Sequence, residues 1–171
     1  MGFLDPAFLL LLYAIPLYIA NATPILFHGR TPLDLGIKVG KKPLLGKGKT
    51  ILGTVSGIAA GTLAGVLIAI FFPLSVMLIP NYAWLGFALS LGAIAGDAAK
   101  SFFKRRFNIK RGEKWVVADQ LDFIAGGLVL SAILARLPEW WLVILLFAAT
   151  FFIHSGTNFV AYRLRLKKVP W

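Results

Sequence analysis

The sequence predicts an all-α membrane protein of five transmembrane helices, its N-terminus outside and its C-terminus cytoplasmic, and three observations carry that prediction. Of 171 residues, 58% are hydrophobic and the mean hydropathy is +0.80, too apolar for a soluble domain of this size. Five apolar runs, at about 8–27, 51–72, 79–99, 119–136 and 140–162, reach or approach the ~20 residues that a helix needs to cross a hydrocarbon core of ~30 Å. Their continuity fits helices and not the alternating strands of a barrel. The third observation is the placement of charge. With five spans, the loops at 28–50 and 100–118 and the C-terminal tail share one side and hold six, seven and four of the eighteen Lys and Arg residues, leaving Arg136 alone opposite. Cation bias marks those loops as cytoplasmic. Topology thus accounts for most of the +11 net charge without a nucleic-acid partner. Cysteine is absent, which excludes disulfides, thiolate ligands and a cysteine nucleophile. Residues 1–171 read as a single membrane-embedded domain.

The first span, 8–27, contains Pro16 and Pro24, which predict a kink or an interrupted end. Asn21 lies inside it, either as an interhelical hydrogen-bonding group or as a ligand. Residues 28–50 read as a flexible polar loop. Its string GKGKT, 46–50, invites comparison with a phosphate-binding P-loop, but that motif needs a glycine where Pro43 stands and a strand before it. What survives is weaker: glycines allow backbone N–H groups to approach a phosphate, and Lys47 and Lys49 add positive charge to the start of the next helix.

The second span, 51–72, is uncharged and repeats glycine at Gly53, Gly57, Gly61 and Gly65. These make one smooth face for close packing, within the bundle or in a homodimer. The third, 79–99, opens on the interfacial anchors Tyr82 and Trp84 and ends with Asp97. The fourth must include Asp119 and Asp122 to reach spanning length, which predicts that they face a wet cavity. The fifth opens on a Trp pair; His154 and Asn158 share a face, where interhelical hydrogen bonds are the expected role. The basic tail suits anionic headgroups.

Cation bias does not explain carboxylates among the cations. Asp97, Asp119 and Asp122 all fall near the cytoplasmic ends of the third and fourth spans, the last two on one helical face. Such oxygen donors suit Mg²⁺, which takes one or two carboxylates together with substrate phosphates. Lys100, Lys104, Arg105, Lys110 and Arg111 can neutralise phosphate charge beside them. A plainer arrangement also exists: Asp119 as a helix N-cap with Asp122 completing a capping box, and Asp97 paired with Lys100 or Ser101.

The pattern G-D-x-x-K-S-F-x-K-R-R, then K, then D-Q-x-D-F, from Gly96 to Phe123, resembles that of the CDP-archaeol synthases, archaeal relatives of the CDP-diacylglycerol synthases. Ser101, Lys104, Arg105, Lys110, Asp119 and Asp122 stand at matching places. Arg111 stands where the wider family has Asp, and Gln120 where it has Arg, departures that favour the archaeal branch. Asn21 and Pro24, then Pro32, Asp34 and Gly36, then Gly46, Lys49, Thr50 and Gly53, are similar to the family's upstream elements. The resemblance implies a multi-pass cytidylyltransferase of the cell membrane, its active site facing the cytoplasm. The phosphate of 2,3-bis-O-geranylgeranylglycerol 1-phosphate would attack CTP and release pyrophosphate. Asp97, Asp119 and Asp122 would hold Mg²⁺, with Lys100 at the reacting centre. Asn21, Lys47, Lys49, Thr50, Gly53, Ser101, Lys104, Arg105, Lys110, Arg111 and Gln120 would line the substrates. The alternative is a transporter of an anionic phosphorylated metabolite, for which the expected internal repeat is missing.

Overall fold

The computed structural model describes residues 4–109, 113, 115, 117–135 and 137–165. It contains α1 (Leu4–Leu26), a short hairpin of β1 (Lys38–Val39) and β2 (Lys42–Pro43), α2 (Ile51–Phe71), α3 (Pro73–Leu78), α4 (Tyr82–Arg106), α5 (Ala118–Leu134) and α6 (Trp140–Arg163). Among the described residues three helices, α1, α2 and α4, are long and apolar enough to cross a membrane. The chain is therefore a helical membrane protein. The side chains of His154 and Asn158 lie outside the described residues.

Of the expected kink or interrupted end, the interruption does not occur: helix α1 runs through both of its prolines. A proline at position i leaves the carbonyl of residue i−4 without its helical donor. For Pro16 that carbonyl belongs to Leu12, and the Tyr82 hydroxyl of α4 donates to it at 2.6 Å. For Pro24 it belongs to Ala20, whose oxygen lies against Gly57. The carbonyls that the prolines leave free are thus where neighbouring helices dock.

The core is built from Leu12, Tyr13 and Leu17 of α1, Leu85 and Leu89 of α4, Phe123 and Ile124 of α5, and Leu142 and Leu146 of α6. Helix α2 contributes backbone instead, because its buried residues are the four glycines alone. Added methyl groups at Gly57 and Gly61 would strike α1 and α4, and one at Gly65 would strike Gly86 of α4. Of the two alternatives for this face, packing within the bundle is the one the chain shows. The face made by Gly53, Gly57, Gly61 and Gly65 is filled from within the chain and offers no surface to a second protomer.

Two further expectations change. Helix α4 continues past the expected end at 99 to Arg106, so Lys100 to Arg106 are helical and not part of a loop. Residues 28–50 are an ordered unit, where a flexible loop was expected. Gly40, at φ +63°, supplies the first position of a two-residue hairpin turn, where an L side chain would be strained. Asp34, only 4% exposed, accepts from the backbone N–H groups of Gly36 (3.0 Å), Leu45 (2.8 Å) and Gly46 (2.9 Å). Burial alone would raise the carboxyl's pKa; these donors outweigh it and hold Asp34 below its ordinary value.

Candidate active site

Three elements build the site. Helix α4 places Asp97, Lys100, Ser101 and Lys104 along one face, at the spacing of three and four that stacks side chains on a helix. Helix α5 supplies Asp119 and Asp122 on adjoining turns. The ordered segment before α2 supplies Lys49 and Thr50, the latter capping α2 by accepting from Gly53 N at 3.2 Å and also from Gly29 N at 3.3 Å.

Glycines set the distance between α4 and α5. A methyl group on Gly96 would overlap the Asp122 carbonyl, and Gly126 lies against Gly92 and Gly96. This contact lets three carboxylates meet around one ammonium. Lys100 Nζ is 2.8 Å from Asp122 Oδ2, 3.1 Å from Asp97 Oδ1 and 3.4 Å from Asp119 Oδ1. Lys49 pairs with the other oxygen of Asp97. Lys104 pairs with Asp119 at 2.6 Å, and Trp115 N donates to the same carboxylate at 2.8 Å. Three carboxylates thus share three lysines at partial burial, where unpaired charge would be costly.

Asp119 is not a helix cap as the plainer arrangement had it, since Val117 holds that position. It turns back to tie down the chain entering α5. Asp97 does pair with Lys100, and the Ser101 hydroxyl donates to the Asp97 backbone carbonyl at 2.9 Å.

Above this cluster opens a cleft of about 370 Å³. Gly46, Lys47, Gly48 and Lys49 wall one side, and Lys100, Ser101, Lys104 and Arg105 the other, with Asp119 at its margin. Among the described residues no carboxylate pairs with Lys47 or Arg105, so both cations are free to meet an anion. A smaller space of about 40 Å³ adjoins, lined by Lys49, Thr50, Gly53 and Asp97. An apolar groove of about 490 Å³ runs between α4 and α5 from Lys100 and Asp122 past Ala95, Gly96, Ala125 and Leu130.

The structure does not bring every expected residue here. Gln120 is turned toward α6, its amide nitrogen 3.5 Å from Ser155 Oγ. Asn21 is half-buried on α1 and lines neither polar space. Lys110 and Arg111 lie outside the described residues. Arg106, which the sequence left without a role, binds the hairpin.

The donor set, three carboxylates at the mouth of a cation-lined cleft, has the chemistry that Mg²⁺ takes, and Asp122 Oδ2 has Lys100 Nζ beside it at 2.8 Å. The described residues do not, however, already form a group of three or more acidic, His or Cys ligands around one ion position. The Lys100 ammonium stands between the carboxylates.

A family model described as CarS-like, CDP-archaeol synthase, matches residues 3–171. The chain belongs to the CDP-archaeol synthase family. Relatives named CDP-archaeol synthase include those of Methanocaldococcus jannaschii, 40% identical over 93% of this chain and 94% of that one, and Aeropyrum pernix, 43% identical over 92% and 88%. That of Thermococcus kodakarensis is 38% identical over the full length of both. A solved structure of an intramembrane enzyme for archaeal membrane lipid biosynthesis is similar with a TM-score of 0.78 and 41% identity, covering 86% of this chain and 91% of that one. The likeness, read in the sequence over about residues 20–127, therefore extends over residues 3–171, α6 included.

Proposed function

We propose that the chain transfers a CMP group from CTP to the phosphate of 2,3-bis-O-geranylgeranylglycerol 1-phosphate, giving unsaturated CDP-archaeol and pyrophosphate in archaeal membrane phospholipid synthesis. It works as a five-span protein of the cell membrane, with its N-terminus outside and the cleft open to the cytoplasm. The observation that carries this is the meeting of Asp97, Asp119 and Asp122 around Lys100, on the floor of a cleft whose walls are cationic and which adjoins an apolar groove.

The triphosphate enters between Gly46–Lys49 and α4, where Lys47 and Arg105 meet its charge. The lipid keeps its tails in the bilayer and along the groove between α4 and α5, which brings its phosphate to Lys100. An oxygen of that phosphate forms a bond to the α-phosphorus of CTP while the bond from that phosphorus to the bridging oxygen breaks, and pyrophosphate leaves. Asp97, Asp119 and Asp122 would hold Mg²⁺, which supplies charge neutralisation and alignment to the triphosphate. Two anions must approach each other, so the work of the protein is positioning and charge compensation, and no covalent protein intermediate is needed. Lys49, Lys100 and Lys104, each released from a carboxylate, turn toward phosphate oxygens. The choice of CTP among nucleotides rests on the family.

Pyrophosphate release by purified protein tests this, with Mg²⁺, the lipid phosphate and each of four nucleoside triphosphates in turn. Release is expected to require the lipid and to favour CTP. Asp119→Asn, eluting as a folded, monodisperse species, should lose it by about 100-fold or more, the loss expected when a charged group essential to phosphoryl chemistry is neutralised. No release with any nucleotide from folded protein would overturn the proposed reaction.

A further inference from the structure

Arg106 ends α4, one residue after Arg105 of the cleft wall. Adjacent helical residues point about 100° apart, and the two guanidinium groups diverge accordingly. Arg105 lines the cleft. Arg106 leaves it, lies over the Phe102 ring at 4.6 Å, and reaches the hairpin. There its Nη1 donates to Val39 O at 3.2 Å and its Nη2 to Pro43 O at 3.1 Å, one carbonyl on each strand. The contact is reciprocal, because Lys42 Nζ of the hairpin donates to Arg106 O at 2.8 Å. That carbonyl is one of those a helix C-terminus leaves without a partner.

The consequence lies at the next residues. Pro43 itself lines the cleft, as do Leu45 and Gly46, and the backbone N–H groups of Leu45 and Gly46 are held by Asp34. The wall that carries Lys47 and Lys49 is therefore anchored at one end by Thr50 on α2 and at the other by Arg106 on α4. Resting on the proposed nucleotide site, we infer that Arg106 and Lys42 form a clasp that positions the 43–49 wall against α4 and so sets the width of the triphosphate cleft. Arg106 is a positioning residue and touches no substrate. A planar guanidinium spans both carbonyls at once, whereas a lysine there places a single point charge.

The test is CTP affinity and steady-state kinetics, with amide hydrogen exchange read separately for residues 37–46. Arg106→Ala should raise the KM and the dissociation constant for CTP by about tenfold and leave kcat within about twofold, the pattern of lost uniform binding. Exchange in the hairpin should accelerate by at least about tenfold while the core of α4 keeps its protection, as local opening requires. Arg106→Lys should fall between Ala and the wild type. Lys42→Met removes the other half of the clasp without touching α4, and should shift exchange and KM in the same direction, which keeps the test intact if Arg106→Ala does not fold.

Unchanged hairpin exchange with a raised KM in Arg106→Ala would make Arg106 a direct phosphate contact and overturn the clasp. An unchanged KM with a lower melting temperature would reduce it to a structural role and overturn it equally. Failure of the wild type to bind CTP would remove the nucleotide site itself, a result separate from both.

Discussion

Asp34 shows how a single side chain can order a segment that has no regular structure of its own. Its two oxygens accept three backbone N–H groups from both flanks of the hairpin, and its folded-state pKa lies below the ordinary 3.8. The folded protein therefore binds this proton less readily than the unfolded chain does. The stabilisation is fully present above the unfolded value and is lost as pH falls through the lower folded value. Asp34→Asn should lower the melting temperature at pH 7, and the gap to the wild type should close as both are titrated downward through about pH 3.8, the ordinary carboxylate range. A gap that stays constant over that range would show that the charge has no part in holding the segment. In the sequence Asp34 was visible as part of a resemblance, but its partners were not, because backbone donors leave no trace in side-chain chemistry. Gln120 shows the reverse limit. It sits between two site aspartates in the chain, yet helical geometry turns it away from them to Ser155.

At the scale of elements, apolar length located α1, α2, α5 and α6 to within a few residues. It stopped α4 too early because Lys100, Lys104, Arg105 and Arg106 are charged, although charge does not end a helix that leaves the bilayer. The hairpin could not be read at all, since strands of two residues carry no periodicity. Gly96 decides how α4 meets α5, and the two glycines Gly96 and Gly156 offer a controlled comparison. Gly96→Ala puts a methyl group into the Asp122 carbonyl, whereas a methyl at Gly156 meets nothing within 4 Å. Gly96→Ala should move Asp122 and Asp119 relative to Lys100 and lower kcat/KM by about 100-fold, the scale of loss from a displacement near 1 Å. Gly156→Ala should retain activity and melt at the same temperature or higher, because alanine is favoured over glycine in a helix by roughly 0.5–1 kcal/mol. Equal activity of the two variants would mean that α4 and α5 need not approach so closely for catalysis.

For the whole molecule, the question is how many times the chain crosses the bilayer. Its weakest element is α5. At 1.5 Å per residue its 17 residues span only ~25 Å, less than a hydrocarbon core of ~30 Å. A short helix can still span if the bilayer thins locally or its polar end opens into water, and Asp119 and Asp122 put such an end beside the cleft. The natural chain has no cysteine, so single cysteines can report each connection. Lys41→Cys in the hairpin turn, Met77→Cys in α3, Asn108→Cys after α4, Leu137→Cys after α5 and Leu164→Cys at the end of α6 all fall on exposed positions. Impermeant thiol reagent should reach 41, 108 and 164 only from the cytoplasmic face, and 77 and 137 only from the opposite face. Labelling of 137 from the cytoplasm would make α5 a re-entrant segment and leave the cation count of the tail to be explained otherwise. The alternation matters for chemistry as well as topology. The proposed reaction requires α2, α4 and α5 all to present their site ends to the cytoplasm, so that soluble CTP would reach Lys47 and Arg105 while the lipid phosphate would reach Lys100 from within the bilayer.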